Sequence, residues 1–403
     1  MTAPLIVRDS AEVREDRQEV VLMLHDFTFQ TPEEVLAGLT GTTVGAAHAM
    51  ALRVEDGGPR MGSRMSTQPG AGGTANMADP DMRQMGKEPK PLSSAETRNS
   101  APGTMASMSP AGTMPSTSPA GTMHSMSASG AMHMDLNDVH YDAFLANDRT
   151  LADPEIMRVE RGGRIRLRVI NGASSSQFWI DLGALSGRVV ATDGHPVQPV
   201  AGSRFPLAMA QRLDILIDLP ASGAFPILAR LEGSGRQTGI ILAAAGAQIQ
   251  RTTDSAAAAP PVDNSLEGRL AALAPLPARK ADLARTIYLD GGMKPYAWSM
   301  NGEYWPRATP LMLSKGQRIE VDLVNRSMMA HPIHLHGHAF QVVALDGKPI
   351  QGAVRDTVLV PPMGRVRIAF DADNPGRWAF HCHNLYHMVT GMMMEFRYQG
   401  IVA

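Results

Sequence analysis

Residues 381–392 read His-Cys-His-Asn-Leu-Tyr-His-Met-Val-Thr-Gly-Met and contain the only cysteine in the 403-residue chain. The apolar residues that lead into this stretch, 378–380, predict a buried strand. Side chains alternate between the two faces of a strand, so His381 and His383 should face one side and Cys382 the other. This spacing predicts two different metal sites on opposite faces of one strand.

The residues that follow Cys382 indicate which metal its site would bind. His387 and Met392 follow the cysteine at intervals of five residues. Cysteine, histidine and a weak methionine ligand form the set found in blue-copper centres. Two plainer interpretations stay open: a core cysteine among histidines that only form hydrogen bonds, and a zinc site. Zinc is disfavoured, because structural zinc sites use cysteine and histidine rather than a thioether. Gly391 is predicted to allow a close backbone approach or a sharp turn.

A second histidine cluster, His-Pro-Ile-His-Leu-His-Gly-His, occupies residues 331–338. His334 and His336 have the same parity on a strand, whereas His331 faces the other side. The pattern mirrors the first motif, with one ligand for the cysteine site and two for the other. The first predicted group is His331, Cys382, His387 and Met392, and the second is His334, His336, His381 and His383.

Two further residues have secondary roles in this prediction. His338 shares the parity of His334, but Gly337 should bend the strand before it, so His338 is interpreted as structural. Asp356 is a candidate for orienting an imidazole, because metal-bound histidines usually donate their second N–H to a fixed acceptor.

The composition excludes several other classes of protein. The formal net charge is -2, so no basic surface indicates a nucleic-acid partner. A single cysteine cannot form an intramolecular disulfide. The sequence has no run of eighteen apolar residues, so no membrane span is predicted. The N-terminus lacks the basic and apolar regions of a secretory signal, so none is expected.

The pattern of apolar residues predicts an all-β fold. Residues 164–170 alternate strictly between polar and apolar, and short apolar runs separated by Gly and Pro turns continue to the C-terminus. Such a pattern is typical of β-sandwiches. Residues 5–9 and 19–29 are also predicted strands, and Thr31-Pro-Glu-Glu predicts a capping box that opens a short helix. The predicted domains are residues 1–247 and 267–403, joined by a linker over residues 248–266.

A long insertion, residues 42–135, is predicted to be disordered. Gly, Ser, Pro, Ala and Met dominate it, and thirteen of the 27 methionines lie between residues 50 and 134. Such a composition cannot bury enough apolar surface to offset the loss of chain entropy. The insertion is either a neutral flexible segment or a collector of Cu(I), which thioethers favour as soft ligands. The candidate Cu(I) ligands are Met105, Met108, Met114, Met123, His124, Met126, Met132, His133 and Met134.

The two motifs, HPxHLHG at residues 331–337 and HCHxxxHxxxGM at residues 381–392, resemble the C-terminal signatures of the multicopper oxidases. The chain outside the Met-rich insertion resembles bacterial laccase-like and copper-efflux oxidases, whose domains are cupredoxin-like Greek-key β-sandwiches. The resemblance implies that the second sandwich binds the copper and that the first has no copper ligands. It implies type 1 copper at His331, Cys382, His387 and Met392, type 2 copper at His334, and type 3 copper at His336, His381 and His383.

The resemblance also implies an activity. Type 1 copper would take electrons from a phenolic donor or from Cu(I). The electrons would then pass through Cys382 to His381 and His383, and the trinuclear cluster would reduce O2 to water. The resemblance implies a location in the periplasm, whereas the lack of an expected secretory signal leaves the cytoplasm as the alternative. The oligomeric state is not predicted.

One departure from the family pattern bears on that activity. The HxHG and HxH motifs of the family's first domain are missing from this sequence, which therefore resembles the second and third domains. The expectation is a chain that binds type 1 copper and reduces little O2 by itself. The alternatives are a type 1 copper electron-transfer protein and a copper buffer.

Overall fold

The computed structural model describes residues 3–8, 14–57 and 136–401, with residues 53–57 described by their backbone. The first part of the chain contains the following elements: β1 (Gln18–Phe27), α1 (Pro32–Thr40), α2 (Val44–Gly57), β2 (Ala143–Ala146), β3 (Ile156–Val159), β4 (Arg164–Asn171), β5 (Phe178–Asp181), β6 (Gly187–Thr192), β7 (His195–Gly202), β8 (Arg204–Leu207), β9 (Arg212–Asp218), β10 (Ala224–Leu231) and β11 (Gln237–Ala244).

A short 3-10 helix, Glu267–Arg269, precedes the second set of strands. That set is β12 (Leu283–Met293), β13 (Tyr296–Met300), β14 (Leu311–Leu313), β15 (Arg318–Asn325), β16 (His331–Leu335), β17 (Phe340–Leu345), β18 (Lys348–Pro349), β19 (Val354–Arg355), β20 (Thr357–Val360), β21 (Arg365–Asp371), β22 (Arg377–Cys382), α3 (Leu385–Val389) and β23 (Met393–Tyr398).

The strands form two sandwiches with the same strand order. In the first, the sheet β2-β1-β4-β9-β6-β7 accompanies the sheet β3-β11-β10-β5-β8. In the second, β13-β12-β15-β21-β17-β18 accompanies β14-β23-β22-β16-β20, and β19 pairs with β17. Strand for strand, the second arrangement repeats the first. The predicted all-β fold of two sandwiches is confirmed, and the predicted domain boundaries remain a proposal.

Large apolar side chains fill both sandwiches. Leu22, Phe178 and Phe205 are fully buried in the first, and Phe370 and Phe396 are fully buried in the second. Each such side chain contributes roughly 1.5–3 kcal/mol by leaving water. Ile165, Leu167 and Val169 of β4 are fully buried, as the alternation of residues 164–170 predicts, but Arg166 and Arg168 between them are buried as well.

The N-terminal region both confirms and corrects the sequence prediction. Thr31 caps α1, and its reciprocal hydrogen bonds with Glu34 form the predicted capping box. The strand predicted for residues 5–9 is wrong over residues 5–8, which form no strand. Leu5 and Val7 are exposed there, 89% and 84% respectively, so they pack against no sheet.

The start of the predicted insertion is also corrected. Residues 44–57 form α2, where disorder was predicted from residue 42. This segment is rich in alanine, the best helix former, and Ala47 is fully buried. The helix contacts α3, the short helix that follows β22. All nine candidate Cu(I) ligands, from Met105 to Met134, lie outside the described residues.

Within the described ranges, no single helix has the length and apolar composition needed to cross a membrane. Pro32–Thr40 and Val44–Leu52 would pass together by length and composition, but the pair is bent by 107°.

Candidate metal centre

Three of the four residues of the first predicted group, His331, Cys382 and His387, converge in the core of the second sandwich. β16 supplies His331, β22 supplies Cys382, and α3 supplies His387. The Nδ1 atoms of the two histidines lie 3.0 Å apart, and the Cys382 Sγ lies 3.8 Å from His331 Nδ1 and 3.7 Å from His387 Nδ1. All three side chains are fully buried. Three donor atoms therefore meet in a space closed to solvent.

The surroundings of His331 decide which ring nitrogen carries its proton. His331 Nε2 lies 2.8 Å from the Ser327 Oγ. The single hydroxyl hydrogen of Ser327 is donated to the Asn325 Oδ1 at 2.8 Å, so the serine oxygen accepts from the ring. The proton of a neutral His331 is thus on Nε2, and the lone pair of Nδ1 faces Cys382.

A buried carboxylate beside His387 has the same effect on the second ring. The Asp138 Oδ2 lies 2.7 Å from His387 Nε2, close to the ring but off the line of its N–H bond. The hydroxyl of Tyr296 and the amide of Asn384 donate to the same oxygen, at 2.6 and 3.0 Å. A carboxylate beside Nε2 favours the proton on that atom, which leaves the Nδ1 lone pair facing the cysteine.

Asp138 is the main residue that the sequence analysis missed. It lies in a loop of the first part of the chain, and no motif connects it to His387, so only the fold brings the two together. Burial alone would raise the pKa of Asp138, but His387 and the hydrogen bonds from Tyr296 and Asn384 lower it below the ordinary value. The carboxylate is therefore charged and fixed.

Local structure places His387 and Met392 around the cysteine. The side chain of Asn384 caps α3 by accepting from the backbone N–H groups of Tyr386 and His387. The backbone N–H of Cys382 donates to the carbonyl of Met392 at 3.1 Å, and Met392 is fully buried. Gly391 has a φ of +131°, and a Cβ there would lie 2.8 Å from the Trp298 carbonyl oxygen. The prediction of a close backbone approach at Gly391 is confirmed.

The chemistry of these donors fits a copper ion. Burial raises the pKa of Cys382, and burial together with His387 lowers the pKa of His331 well below its ordinary value. The site thus offers two imidazole nitrogens and a thiol whose proton a metal ion would replace. The two Nδ1 atoms lie 3.0 Å apart, close enough for one metal ion to bind both. Sulfur with two imidazoles is a donor set that copper prefers.

The second predicted group lies on the opposite side of β22. Donor atoms of His334, His336 and His381 all lie within 4.8 Å of one another, and the Nε2 atoms of His336 and His381 are 3.1 Å apart. The His383 ring is 5.6 Å from that of His381 and 5.8 Å from that of His334, between ring centres. The structure brings all four predicted residues together, with three of them converging on one point.

Carbonyl groups fix the tautomers of this second group. The His381 Nδ1 donates to the carbonyl of Cys382 at 2.8 Å, and the His334 Nδ1 donates to that of Asp356 at 2.9 Å. A carbonyl oxygen can only accept, so both rings carry the proton on Nδ1 and present a bare Nε2. Burial and neighbouring histidines lower the pKa of His381 well below its ordinary value, and mainly burial lowers that of His383 to about 4. Neutral imidazoles of this kind are metal ligands.

His338 lies apart from both groups. Its Nε2 lies 2.7 Å from the hydroxyl of Tyr398, and its ring is parallel to the tyrosine ring. Gly337 has a φ of +70°, and β16 ends at Leu335, so the chain bends where the glycine predicted it. Asp356, the predicted orienting residue, contacts His334 through its backbone carbonyl and has its carboxylate 3.5 Å from the same ring nitrogen.

Comparison with known proteins identifies the family. Two sequence models described as multicopper oxidase match residues 279–400 and 114–254. The multicopper oxidase MmcO of Mycobacterium tuberculosis is 36% identical over 277 residues, which are 66% of this chain and 52% of that relative. A copper resistance protein A homolog of Pseudomonas syringae pv. tomato is 29% identical, over 59% of this chain and 54% of that protein. The chain belongs to the multicopper oxidase family, which uses copper as its cofactor.

Solved structures agree on the fold. The multicopper oxidase Fet3p, described as functioning in iron import, has a TM-score of 0.54 at 20% identity, over 65% of this chain and 60% of that one. The laccase of Botrytis aclada has a TM-score of 0.54 at 20% identity, over 62% of this chain and 55% of that one. The chain spans about half the length of the first curated relatives that it matches.

Proposed function

We propose that this protein is a copper-dependent oxidoreductase that takes single electrons from a phenolic donor or Cu(I) and passes them to O2. The observation that carries the proposal is the buried convergence of the Cys382 Sγ with the Nδ1 atoms of His331 and His387. A polar oxygen lies behind each ring: the Ser327 Oγ is 2.8 Å from His331 Nε2, and the Asp138 Oδ2 is 2.7 Å from His387 Nε2. The net reaction would remove one electron from each of four donors and reduce one O2, with four protons, to two water molecules.

The residues divide into roles according to the side of β22 that they face. His331, Cys382, His387 and Met392 would hold type 1 copper; His334 would hold type 2 copper; and His336, His381 and His383 would hold the type 3 pair. When bound, copper supplies reversible one-electron chemistry and a binding place for O2. These assignments combine the family motifs with the two groups of donor atoms described above.

Cys382 connects the two groups through the protein itself. The peptide bonds on either side of it lead to His381 and His383. The hydrogen bond from His381 Nδ1 to the Cys382 carbonyl, at 2.8 Å, adds a second connection. Burial keeps water away from Cys382 and His381, whereas His383 is half-buried.

The choice between the two donor classes rests on the Met-rich insertion and on the relatives. Copper resistance protein A homologs and laccases are both among the similar proteins. The described residues that flank the insertion lie at the first group: α2 contacts α3, and Asp138 contacts His387. The thioether donors of the insertion and the copper resistance relative support Cu(I) as one donor. A copper role of this kind also supports a location in the periplasm.

O2 uptake by the purified, copper-loaded chain tests the activity. The proposed activity predicts uptake that depends on an added phenol or on Cu(I), with one O2 consumed for every four donor molecules oxidised, whereas the missing HxHG and HxH motifs predict little uptake by this chain alone. Absence of uptake, with a thiolate-to-copper absorption that the donor bleaches, would favour a second candidate function. That candidate is an electron-transfer protein, and it is supported by the completeness of the first group within one sandwich.

The role of the Met-rich insertion needs its own test. Replacing its candidate methionine ligands by leucine keeps the length of the segment and removes the soft donors. We expect oxidation of Cu(I) to fall more than oxidation of a phenolic dye, because only the cuprous donor needs thioethers. Equal loss of both activities would contradict Cu(I) capture. The residues to be changed are Met105, Met108, Met114, Met123, Met126, Met132 and Met134.

A further inference from the structure

Among its described residues, the first sandwich supplies no donor atom to either metal group. It does form hydrogen bonds with residues 355–357 of the second sandwich, which lie beside His334 of the second group. We propose that Arg212 of the first sandwich is a positioning residue for His334, acting through Asp356. The proposal rests on the proposed function only in taking His334 as a metal ligand. It gives the sandwich without copper ligands a role in the metal chemistry of the other.

Arg212 holds the carboxylate of Asp356 in one orientation. The Nη1 of Arg212 donates to the Asp356 Oδ1 at 2.7 Å, and its Nη2 donates to Oδ2 at 2.6 Å. The two guanidinium nitrogens are held in turn by the carbonyls of Ala210, at 2.9 Å, and Asp193, at 3.2 Å. A two-point arginine–carboxylate pair fixes direction as well as distance. The carboxylate therefore cannot rotate toward the histidine.

Asp193 fixes the backbone of the same segment. Its side chain is fully buried, and its Oδ2 lies 3.0 Å from the Arg355 Nε. The backbone N–H groups of Asp356 and Thr357 donate to that oxygen at 3.4 and 3.3 Å. The Asp193 Oδ1 also accepts from the backbone of Arg212 at 2.8 Å. One buried aspartate thus links the arginine and the segment that it holds.

The segment in turn fixes the ring of His334. The His334 Nδ1 lies 2.9 Å from the Asp356 carbonyl oxygen and 3.0 Å from the Thr357 Oγ1. The threonine hydroxyl donates its hydrogen to the Asp356 Oδ1 at 2.8 Å, so its oxygen faces the ring as an acceptor. Both neighbours of Nδ1 are therefore acceptors, and the ring proton stays on Nδ1. The Nε2 remains bare and faces His336 and His381.

Loss of Arg212 would free the carboxylate of Asp356 and leave the hydrogen bonds of Asp193 to the same segment in place. The freed Asp356 carboxylate could turn toward Nδ1, from which it lies 3.5 Å, or out to water. The threonine hydroxyl would then have no fixed acceptor, and its hydrogen could point at the ring. His334 would populate both tautomers, and in one of them Nε2 carries a proton and cannot bind a metal.

The test compares Arg212→Gln with Arg204→Gln in the full-length, copper-free protein carrying nitrogen-15-labelled histidine. Arg204 pairs with Asp181 on the surface of the same sandwich, at 2.9 Å, and contacts neither metal group. Long-range proton–nitrogen NMR spectra report the tautomer of each ring, and a His334→Gln variant assigns the signal. We expect the wild type and Arg204→Gln to hold the proton on Nδ1, and Arg212→Gln to show a mixture.

Copper titration provides the second readout. We expect Arg212→Gln to weaken copper binding at the second group about tenfold and to leave the thiolate absorption of the first group unchanged. An unchanged tautomer and an unchanged affinity in folded Arg212→Gln would overturn the proposal, even if thermal stability fell. If that variant does not fold, Arg212→Lys keeps the charge without the two-point pair, and the same outcomes decide. A wild-type chain that binds no copper would refute the proposed function but leave the copper-free NMR result standing.

Discussion

The two sandwiches have one strand order, so positions in one can be matched to positions in the other. Asn171 and Asn325 mark the match, because their side-chain amides donate to the carbonyls of Leu207 and Val360 respectively. Phe178 is the strand partner of Leu207, and His331 is the strand partner of Val360, so Phe178 occupies the position equivalent to His331. Ala229 is likewise the strand partner of Ile180, and Cys382 is that of Ile333, so Ala229 occupies the position equivalent to Cys382. The first sandwich therefore has phenylalanine and alanine where the second has its histidine and cysteine.

The connections after the matched strands differ as well. Residues 232–236 join β10 to β11 in a short turn, whereas residues 383–392 join β22 to β23 and include α3 with His387. The first sandwich thus lacks equivalents of His331 and Cys382 among its described residues. It also has no helix at the position of α3, which supplies His387. The shared fold therefore provides equivalent positions in both sandwiches. Three local differences, a histidine, a cysteine and the segment that contains α3, distinguish the metal group from an apolar core.

The largest effect is expected from Cys382→Ala, which copies the residue of the first sandwich. The variant should lose the thiolate-to-copper absorption completely, and copper affinity at the first group should fall by at least about 100-fold. The converse variant Ala229→Cys should gain no such absorption, because no histidine faces that position. Visible spectra of the two copper-loaded variants, with circular dichroism as a check of folding, provide the measurement. A blue absorption that survives in Cys382→Ala would contradict the assignment.

The metal groups were predictable because each motif is local. The alternation of a strand separates His381 from Cys382 whatever the rest of the chain does, and the bend at Gly337 follows from a glycine with a left-handed φ. Asp138 was not predictable, because it meets His387 only after both sandwiches have folded. Helix α2 was missed for another reason: its Gly-Ala start resembles the low-complexity segment that follows, and only its packing against α1 and α3 distinguishes it.

The next largest effect is a difference in stability between substitutions of two glycines, which follow the matched strands β5 and β16. Gly337 and Gly183 both have a positive φ, +70° and +60°. A Cβ at Gly337 would lie 2.3 Å from the ring of Trp378, whereas one at Gly183 would meet only a carbonyl oxygen at 3.7 Å. Gly183→Ala should cost about 1–2 kcal/mol for its backbone conformation, and Gly337→Ala about 1–3 kcal/mol more for the clash. Urea unfolding of both variants measures the difference, and equal costs would show that the ring simply moves aside.

A smaller effect concerns the contact that joins the first part of the chain to the metal ligands. Asp138→Asn removes the charge beside His387 Nε2 and should weaken copper binding at the first group by about 10–100-fold. Asp148→Asn is the matched control, because Asp148 is exposed in a turn with a φ of +63°, which asparagine also tolerates. Copper titration followed by visible absorption tests the pair. Identical affinities in the two variants would remove Asp138 from the site.

The smallest effect is a pH dependence of the metal-free protein. The folded-state pKa of His383 is lowered to about 4 by burial, so between pH 4 and its ordinary value the unfolded chain binds a proton that the folded chain does not. The free energy of unfolding therefore rises with pH in this window, by up to about 1.4 kcal/mol per pH unit for one group. His383→Gln should reduce the slope relative to the wild type in urea unfolding. Parallel slopes would mean that His383 titrates normally.

The central claim is that two separate copper groups lie back to back across β22. Anomalous diffraction at the copper absorption edge, from crystals of the copper-loaded full-length chain, tests it most directly. We predict one peak bonded to the Cys382 Sγ and to the Nδ1 atoms of His331 and His387, and separate density facing the Nε2 atoms of His334, His336 and His381. Copper found only on the surface, or no peak at Cys382, would contradict it.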